Sequence, residues 1–123
     1  MTSRRLVTTI VCAYSREELP AAWLQVFRRF ERAVARAGLS IRVRLLPLEE
    51  LPESFEVLVV APELVPRAEA LRTGARIIPT TRQDAASAVA ALLRELESGE
   101  SIYAESSRPG EPRVIVHRGS EIL

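Results

Sequence analysis

The chain has 123 residues, with 17 basic and 16 acidic side chains, and its formal net charge of +1 offers no overall attraction to nucleic acid. It contains no lysine, one histidine and one cysteine, which excludes a Schiff-base lysine, a Walker lysine, a histidine-rich metal site and a thiolate zinc site. No apolar run approaches the roughly 20 residues that cross a bilayer, and a lone cysteine forms no internal disulfide. We therefore expect a cytoplasmic protein without a cofactor or a membrane partner.

The apolar run from Leu6 to Ala13 predicts a strand at the centre of a parallel sheet, because a strand covered on both faces does not alternate between apolar and polar residues. The capping-box spacing from Ser15 to Glu18 then predicts a helix that ends near Ala37, just before Gly38. This helix carries one apolar stripe for packing on a sheet, formed by Trp23, Phe27, Phe30, Val34 and Ala37.

Three more strands and two more helices follow in the pattern of parallel crossovers. The strands are Ser40 to Leu46, Phe55 to Ala61 and Arg76 to Pro79, and the helices are Glu63 to Arg72 and Ala85 to Leu96. This alternation predicts an α/β three-layer sandwich, with a four-stranded parallel sheet in the order 2-1-3-4, as one domain over residues 1–99.

Residues 100–123 have a different pattern, in which two extended segments flank a loop rich in serine, proline and glycine. The segments Ser101 to Glu105 and Arg113 to His117 predict a C-terminal β-hairpin that extends the same domain. Because the α/β unit is complete before this hairpin, we expect the hairpin to add to a sheet edge or to reach a second subunit.

The carboxyl ends of parallel strands meet at one edge of a sheet, where α/β proteins bind ligands. Two predicted helix N-termini at this edge would present unpaired N–H groups that favour an anion. The residues expected to bind a small anionic ligand there are Tyr14, Ser15, Arg16, Thr80, Thr81 and Arg82. The alternative is that Ser15 and one of the threonines only cap helices. Tyr14 is the better candidate for an aromatic that faces a ligand, and Trp23 is expected in the core.

Cys12 lies at the end of the first predicted strand, next to the same edge. A helix N-terminus and a nearby arginine would lower the pKa of its thiol and make Cys12 a catalytic nucleophile. The alternative is a small core side chain, because free cysteine is among the most buried residue types.

Arginines recur along the first helix and the second strand. Arg28, Arg32 and Arg36 follow a four-residue spacing on the helix, whereas Arg42 and Arg44 alternate with apolar residues on the strand. If these elements are neighbours, the five side chains form one basic patch, which is either a solvated face or a docking surface for an acidic partner. No aromatic residues are interleaved with the arginines to stack on bases, so nucleic acid is not expected.

The strand ending in Ile10-Val11-Cys12-Ala13, the long helix after it and the central run Val57 to Pro62 resemble the IIB components of the bacterial sugar phosphotransferase system, of the lactose/cellobiose type. The resemblance covers residues 5–97. It implies an α/β fold in which Cys12 carries a phosphoryl group and the following loop surrounds the phosphate. In this chain the loop from Ala13 to Glu18 has no glycine and carries two carboxylates, which oppose a phosphorylated cysteine.

The leading hypothesis is therefore a non-catalytic α/β module that acts through a protein partner or through self-association as a homo-oligomer. A second hypothesis is a phosphocarrier or enzyme that uses Cys12 as the phosphoryl-accepting nucleophile. A third is a sensor that binds a small anionic ligand at the carboxyl ends of the strands.

Overall fold

The computed structural model describes residues 5–17, 21–99 and 102–105. The strands and α-helices are β1 (Arg5–Leu6), β2 (Thr9–Tyr14), α1 (Ala21–Ala37), β3 (Arg42–Pro47), β4 (Val57–Val60), α2 (Val65–Ala70), β5 (Arg76–Pro79), α3 (Ala85–Ser98) and β6 (Ile102–Tyr103). Two short 3-10 turns cover Leu48–Glu50 and Pro62–Leu64. The expected α/β class, with helices and parallel strands, is confirmed.

Four strands form a parallel sheet in the order β3-β2-β4-β5. Strand β2 pairs along its whole length with β3, from Thr9 opposite Arg42 to Tyr14 opposite Pro47, and its middle also pairs with β4. The residues from Ile10 to Ala13 are completely buried. Because β2 has a neighbour on each side and a layer on each face, no position in its centre tolerates an unsatisfied polar group.

The two faces of the sheet are covered by different elements. Alternate residues of the central strands, such as Cys12 and Val59, pack against α1 and α3. The residues between them, such as Val11 and Leu58, pack with Leu48, Leu64 and Ala68 on the other side. The sheet is therefore the middle of three layers, and Cys12 points into the layer between the sheet and the long helices.

Helix α1 packs through the apolar stripe, with two differences from the sequence pattern. Val26 is fully buried in addition to Phe30 and Val34, whereas Ala37 in the last turn is exposed. Gly38 adopts a φ of 70°, a left-handed conformation that suits glycine. The turn at Gly38 returns the chain to the core, so that Leu39 takes the buried position expected for Ala37.

The apolar run from Leu6 to Ala13 is divided between two sheets. Arg5–Leu6 pairs in parallel with Ile102–Tyr103, and the Val7 N–H still donates to the carbonyl of Tyr103 at 2.7 Å. From Thr9 onward the chain belongs to the four-stranded sheet. The expected single strand was therefore wrong at its start, because pairing with a distant segment decides where the strand changes partner.

The carboxylate of Glu56 occupies the point where the chain changes sheet. Its Oε1 atom accepts hydrogen bonds from the Thr8 N–H at 2.8 Å, the Thr8 hydroxyl at 3.0 Å and the Thr9 N–H at 2.9 Å. The backbone N–H of Glu56 also donates to the Thr9 carbonyl. One carboxylate oxygen of Glu56 thus accepts hydrogen bonds from three donors in the break between β1 and β2.

The described part of the tail packs onto the α/β unit, since Ile102 and Ala104 are buried among side chains of α1 and α3. The second arm of the expected hairpin, Arg113 to His117, lies outside the described residues.

Among the helices within the described ranges, none combines the length and the apolar character needed to cross a membrane.

The contacts of Glu56 predict a specific cost of its removal. Glu56→Ala leaves the Thr8 and Thr9 donors without their acceptor and should lower the free energy of unfolding by about 1–3 kcal/mol. Glu56→Gln keeps an acceptor oxygen of the same reach and should recover most of that loss. Urea denaturation of the two variants measures the difference, and equal stability of the Glu56→Ala and Glu56→Gln proteins would show that these hydrogen bonds contribute nothing.

Candidate functional site

The carboxyl ends of β2, β4 and β5 surround a pocket of about 310 Å³, which we call the rim pocket. It is lined by Ala13, Tyr14, Trp23, Ala61, Pro62, Glu63, Leu64, Thr80, Thr81, Arg82 and Gln83. Strand β3 pairs with one edge of β2, and β4, which comes later in the chain, pairs with the opposite edge. The pocket therefore adjoins the place where strand order reverses, which is where open parallel sheets bind ligands.

The structure brings four of the six expected ligand residues to this pocket, namely Tyr14, Thr80, Thr81 and Arg82. Ser15 is buried, and its hydroxyl accepts a hydrogen bond from the Glu17 N–H at 3.3 Å, so it holds the turn after β2. Arg16 is exposed and forms an ion pair with Glu50. Neither Ser15 nor Arg16 lines the rim pocket.

The two threonines have structural contacts of their own. Thr80 is fully buried and donates to the carbonyl of Ile78 at 3.3 Å. The Thr81 N–H donates to the Asp84 carboxylate at 2.7 Å, and the Asp84 N–H donates to the Thr81 hydroxyl at 3.2 Å. These two hydrogen bonds are reciprocal and close the turn that precedes α3, whose N-cap residue is Asp84. Thr81 therefore holds this turn at the wall of the pocket.

Trp23 is a pocket residue that the sequence pattern placed in the core. It is only partly buried, packs against the α1–α3 core and also lines the rim pocket. Its Nε1 atom is buried and has no hydrogen-bond acceptor among the described residues. Its position in the first turn of α1, just after the end of β2, is the signal in the sequence that could have identified it. Glu63 and Gln83 were also missed.

Cys12 lies behind the pocket and does not line it. The side chain is fully buried, and burial raises the pKa of its thiol to about 12. An apolar surrounding disfavours the charged thiolate, which is the opposite of the environment that activates a cysteine. This environment opposes the thiolate that the nucleophile hypothesis requires, and it agrees with the alternative of a small core side chain.

A second depression, of about 500 Å³, lies between α1 and α3. We call it the arginine groove; it is lined by Gln25, Arg28, Arg29, Arg32, Ala33, Arg36, Ala86 and Val89. Arg28, Arg29 and Arg32 form no ion pair with another described residue. The arginine row of α1 therefore has a defined opposite wall, which the periodicity of α1 alone could not identify.

Arg42 and Arg44 do not join this row. They alternate along β3 with Val43 and Leu45, which pack against the core between the sheet and the long helices. Because successive side chains of a strand point to opposite faces, Arg42 and Arg44 lie on the sheet face away from α1. The expected single patch of five arginines is therefore two separate basic surfaces.

The sequence matches no protein-family model, and no curated protein matches it. These comparisons give no support for membership of the IIB components, so that resemblance stays a hypothesis. Within the described part of the chain, no group of three or more histidine, cysteine, aspartate or glutamate side chains could hold a metal ion.

The raised pKa of Cys12 predicts a pH dependence of stability. Between the ordinary thiol pKa of 9.0 and about 12, the unfolded chain loses the thiol proton while the folded protein keeps it, so the free energy of unfolding falls as pH rises. Cys12→Ala removes this contribution. The stability of the wild type relative to Cys12→Ala should therefore be constant below about pH 8 and decrease by up to about 1.4 kcal/mol per pH unit between about pH 9 and pH 12.

Chemical denaturation of both proteins across the alkaline range measures this difference. A difference that did not change with pH would show that the thiol ionises in the folded protein as readily as in the unfolded chain. Alkylation under native conditions provides the control, because a buried thiol reacts only when the structure opens.

Proposed function

We propose that this protein is a non-catalytic binding module that docks an acidic helical segment of a protein partner in the arginine groove. The observation that carries the proposal is the groove itself, in which arginines of α1 face the side of α3 across a depression of about 500 Å³. The burial of Cys12, the nucleophile of the second hypothesis, supports a role without catalysis.

The charge of the groove favours an anionic occupant. Arg28, Arg32 and Arg36 follow a four-residue spacing, at which like charges on a helix repel one another by about 0.2–0.5 kcal/mol per pair. Arg28, Arg29 and Arg32 form no ion pair with another described residue, and Glu31 on the same helix offsets this repulsion only in part. Carboxylates from a partner would relieve the repulsion and would form charge-assisted hydrogen bonds with the guanidinium groups.

The shape of the groove favours a helix over a small ion. Its lining extends along α1 from Gln25 to Arg36, which is about 16 Å at 1.5 Å per residue, or about three turns of a bound helix. Ala33, Ala86 and Val89 provide small apolar surfaces between the arginines and α3. An amphipathic helix with small apolar residues at its centre and glutamates along its edges is complementary to both features.

A second copy of the chain is a poorer occupant of the groove. An isologous dimer through α1 would place the same arginines of two protomers against each other, which like charges oppose. The groove therefore favours a different protein over self-association. The adjacent acidic residues of the first 3-10 turn are also poor partners for the groove of a second copy. Glu49 already forms an ion pair with Arg67, and Glu50 forms one with Arg16.

The variant Arg32→Glu distinguishes binding in the groove from the stability of the fold, because the two should change in opposite directions. It replaces two like-charge pairs on α1 by opposite-charge pairs with Arg28 and Arg36, so the free energy of unfolding should rise by about 1 kcal/mol. The same change places a carboxylate in the groove and should abolish binding of an acidic helix. We expect a protein that is more stable in urea denaturation and yet no longer binds.

The probe for binding is a fluorescently labelled synthetic helix with glutamates on both sides of an alanine and leucine stripe, followed by fluorescence anisotropy. Its affinity should fall as salt is added, and a scrambled peptide of the same composition should bind more weakly. Arg44→Glu is the matched control, since it makes the same charge change on the other face of the sheet and should leave binding unchanged.

Two results would overturn the proposal. Equal loss of binding in Arg32→Glu and Arg44→Glu would indicate a general charge effect without a specific groove. Tighter binding of an unrelated DNA duplex than of the acidic helix would indicate a polyanion surface in place of a protein-docking surface.

A further inference from the structure

The rim pocket has features that the proposed partner docking does not use. It opens at the carboxyl ends of β2, β4 and β5, and no residue that lines it also lines the arginine groove. Its volume of about 310 Å³ lies at the low end of the range of small-molecule sites, so it suits a ligand with one ring better than a nucleotide. The two surfaces can therefore be tested independently.

The walls of the rim pocket indicate a flat apolar ligand. Tyr14 is the last residue of the central strand and Trp23 lies in the first turn of α1, so two aromatic side chains line one small pocket. Ala13, Ala61 and Leu64 add apolar surface. Aromatic side chains favour offset stacking or edge-to-face contact with another ring, which gives an aromatic ligand an advantage over an aliphatic one of equal size.

The charged residues of the pocket lie on two different walls. Arg82 comes from the turn between β5 and α3, and Glu63 comes from the 3-10 turn after β4. Both side chains are exposed, and neither forms an ion pair with another described residue. Arg82 therefore offers a partner to a ligand carboxylate, whereas Glu63 repels one, so the carboxylate should face the side of β5 and α3.

Trp23 contributes a further polar group. Its indole N–H has no acceptor among the described residues, although most buried N–H groups have one. A ligand oxygen that reaches this group after a small side-chain adjustment would gain a hydrogen bond that the described protein does not supply.

From these observations we propose that the rim pocket binds a small aromatic carboxylate, with the ring beside Tyr14 and Trp23 and the carboxylate at Arg82. This site goes beyond the proposed docking function. It also narrows the expected anionic ligand, because a simple anion would use neither aromatic side chain and would leave the apolar walls hydrated.

The experiment uses the intrinsic fluorescence of Trp23, which is the only tryptophan in the sequence. Benzoate is the probe, and cyclohexanecarboxylate, benzylamine and inorganic phosphate are the comparators. Benzoate should change the emission saturably with a dissociation constant of about 1 mM or lower. Benzylamine and phosphate should bind at least about tenfold more weakly, and cyclohexanecarboxylate about two- to tenfold more weakly. Cyclohexanecarboxylate tests the ring, benzylamine tests the sign of the charge, and phosphate tests whether an anion alone is sufficient.

Three exposed side chains provide the variants, so that loss of folding does not obscure the result. Arg82→Gln should weaken benzoate binding by about tenfold, because it removes a charge-assisted contact, and Glu63→Gln should strengthen binding by about two- to threefold. Arg94→Gln is the control, because it removes one positive charge, as Arg82→Gln does, from an exposed position on α3 outside the rim pocket. It should leave benzoate binding unchanged.

The proposal would be overturned by the absence of a saturable change in Trp23 emission, by equal binding of benzoate and benzylamine, or by unchanged benzoate affinity in Arg82→Gln. Phosphate that competed with benzoate at equal affinity would also overturn it, in favour of a simple anion site. None of these results depends on the arginine groove, so failure here and failure of the docking proposal are separate outcomes.

Discussion

The central strand β2 imposes the constraint on which the rest of the structure depends. Its backbone pairs with β3 on one side and β4 on the other, and its side chains from Ile10 to Ala13 have no access to water. A polar group placed there would lose its hydration without compensation. Within β2, polar functional groups can therefore appear only near the end of the strand, and Tyr14 is its first side chain with a polar group to reach the rim pocket.

The same constraint explains why the thiol of Cys12 is buried. In the resemblance to the IIB components, the residue at the end of the first strand carries the chemistry. Here β2 extends beyond Cys12 to Tyr14, and alternation directs Cys12 into the core below α1 and α3. At the end of this strand, the side chains that a ligand can reach are therefore the aromatic and charged residues that line the pocket, and Cys12 is not among them.

The long helix α1 contributes to both candidate surfaces because each of its faces has a different environment. The row of Val26, Phe30 and Val34 is buried against the sheet, and this burial provides the main stabilisation of an amphipathic helix in a small domain. The arginine row lies outside this stripe beside α3, and Trp23 lies in the first turn next to the ends of the strands. One helix therefore forms a wall of the arginine groove and a wall of the rim pocket.

The sequence by itself determined the α/β class, the long helix α1 with its buried stripe, and the proximity of Tyr14, Thr80, Thr81 and Arg82, because hydrophobic periodicity and the geometry of parallel strands act locally or by general rules. Only the tertiary structure decided three features. The first predicted strand is divided at Thr8, where Glu56 accepts hydrogen bonds. Arg42 and Arg44 are separated from the arginines of α1, and Trp23 lines the pocket. These features depend on which distant segments pair and on the face to which an alternating side chain turns. A single sequence carries no local signal for either, since the free energy that selects them comes from contacts between residues far apart in the chain.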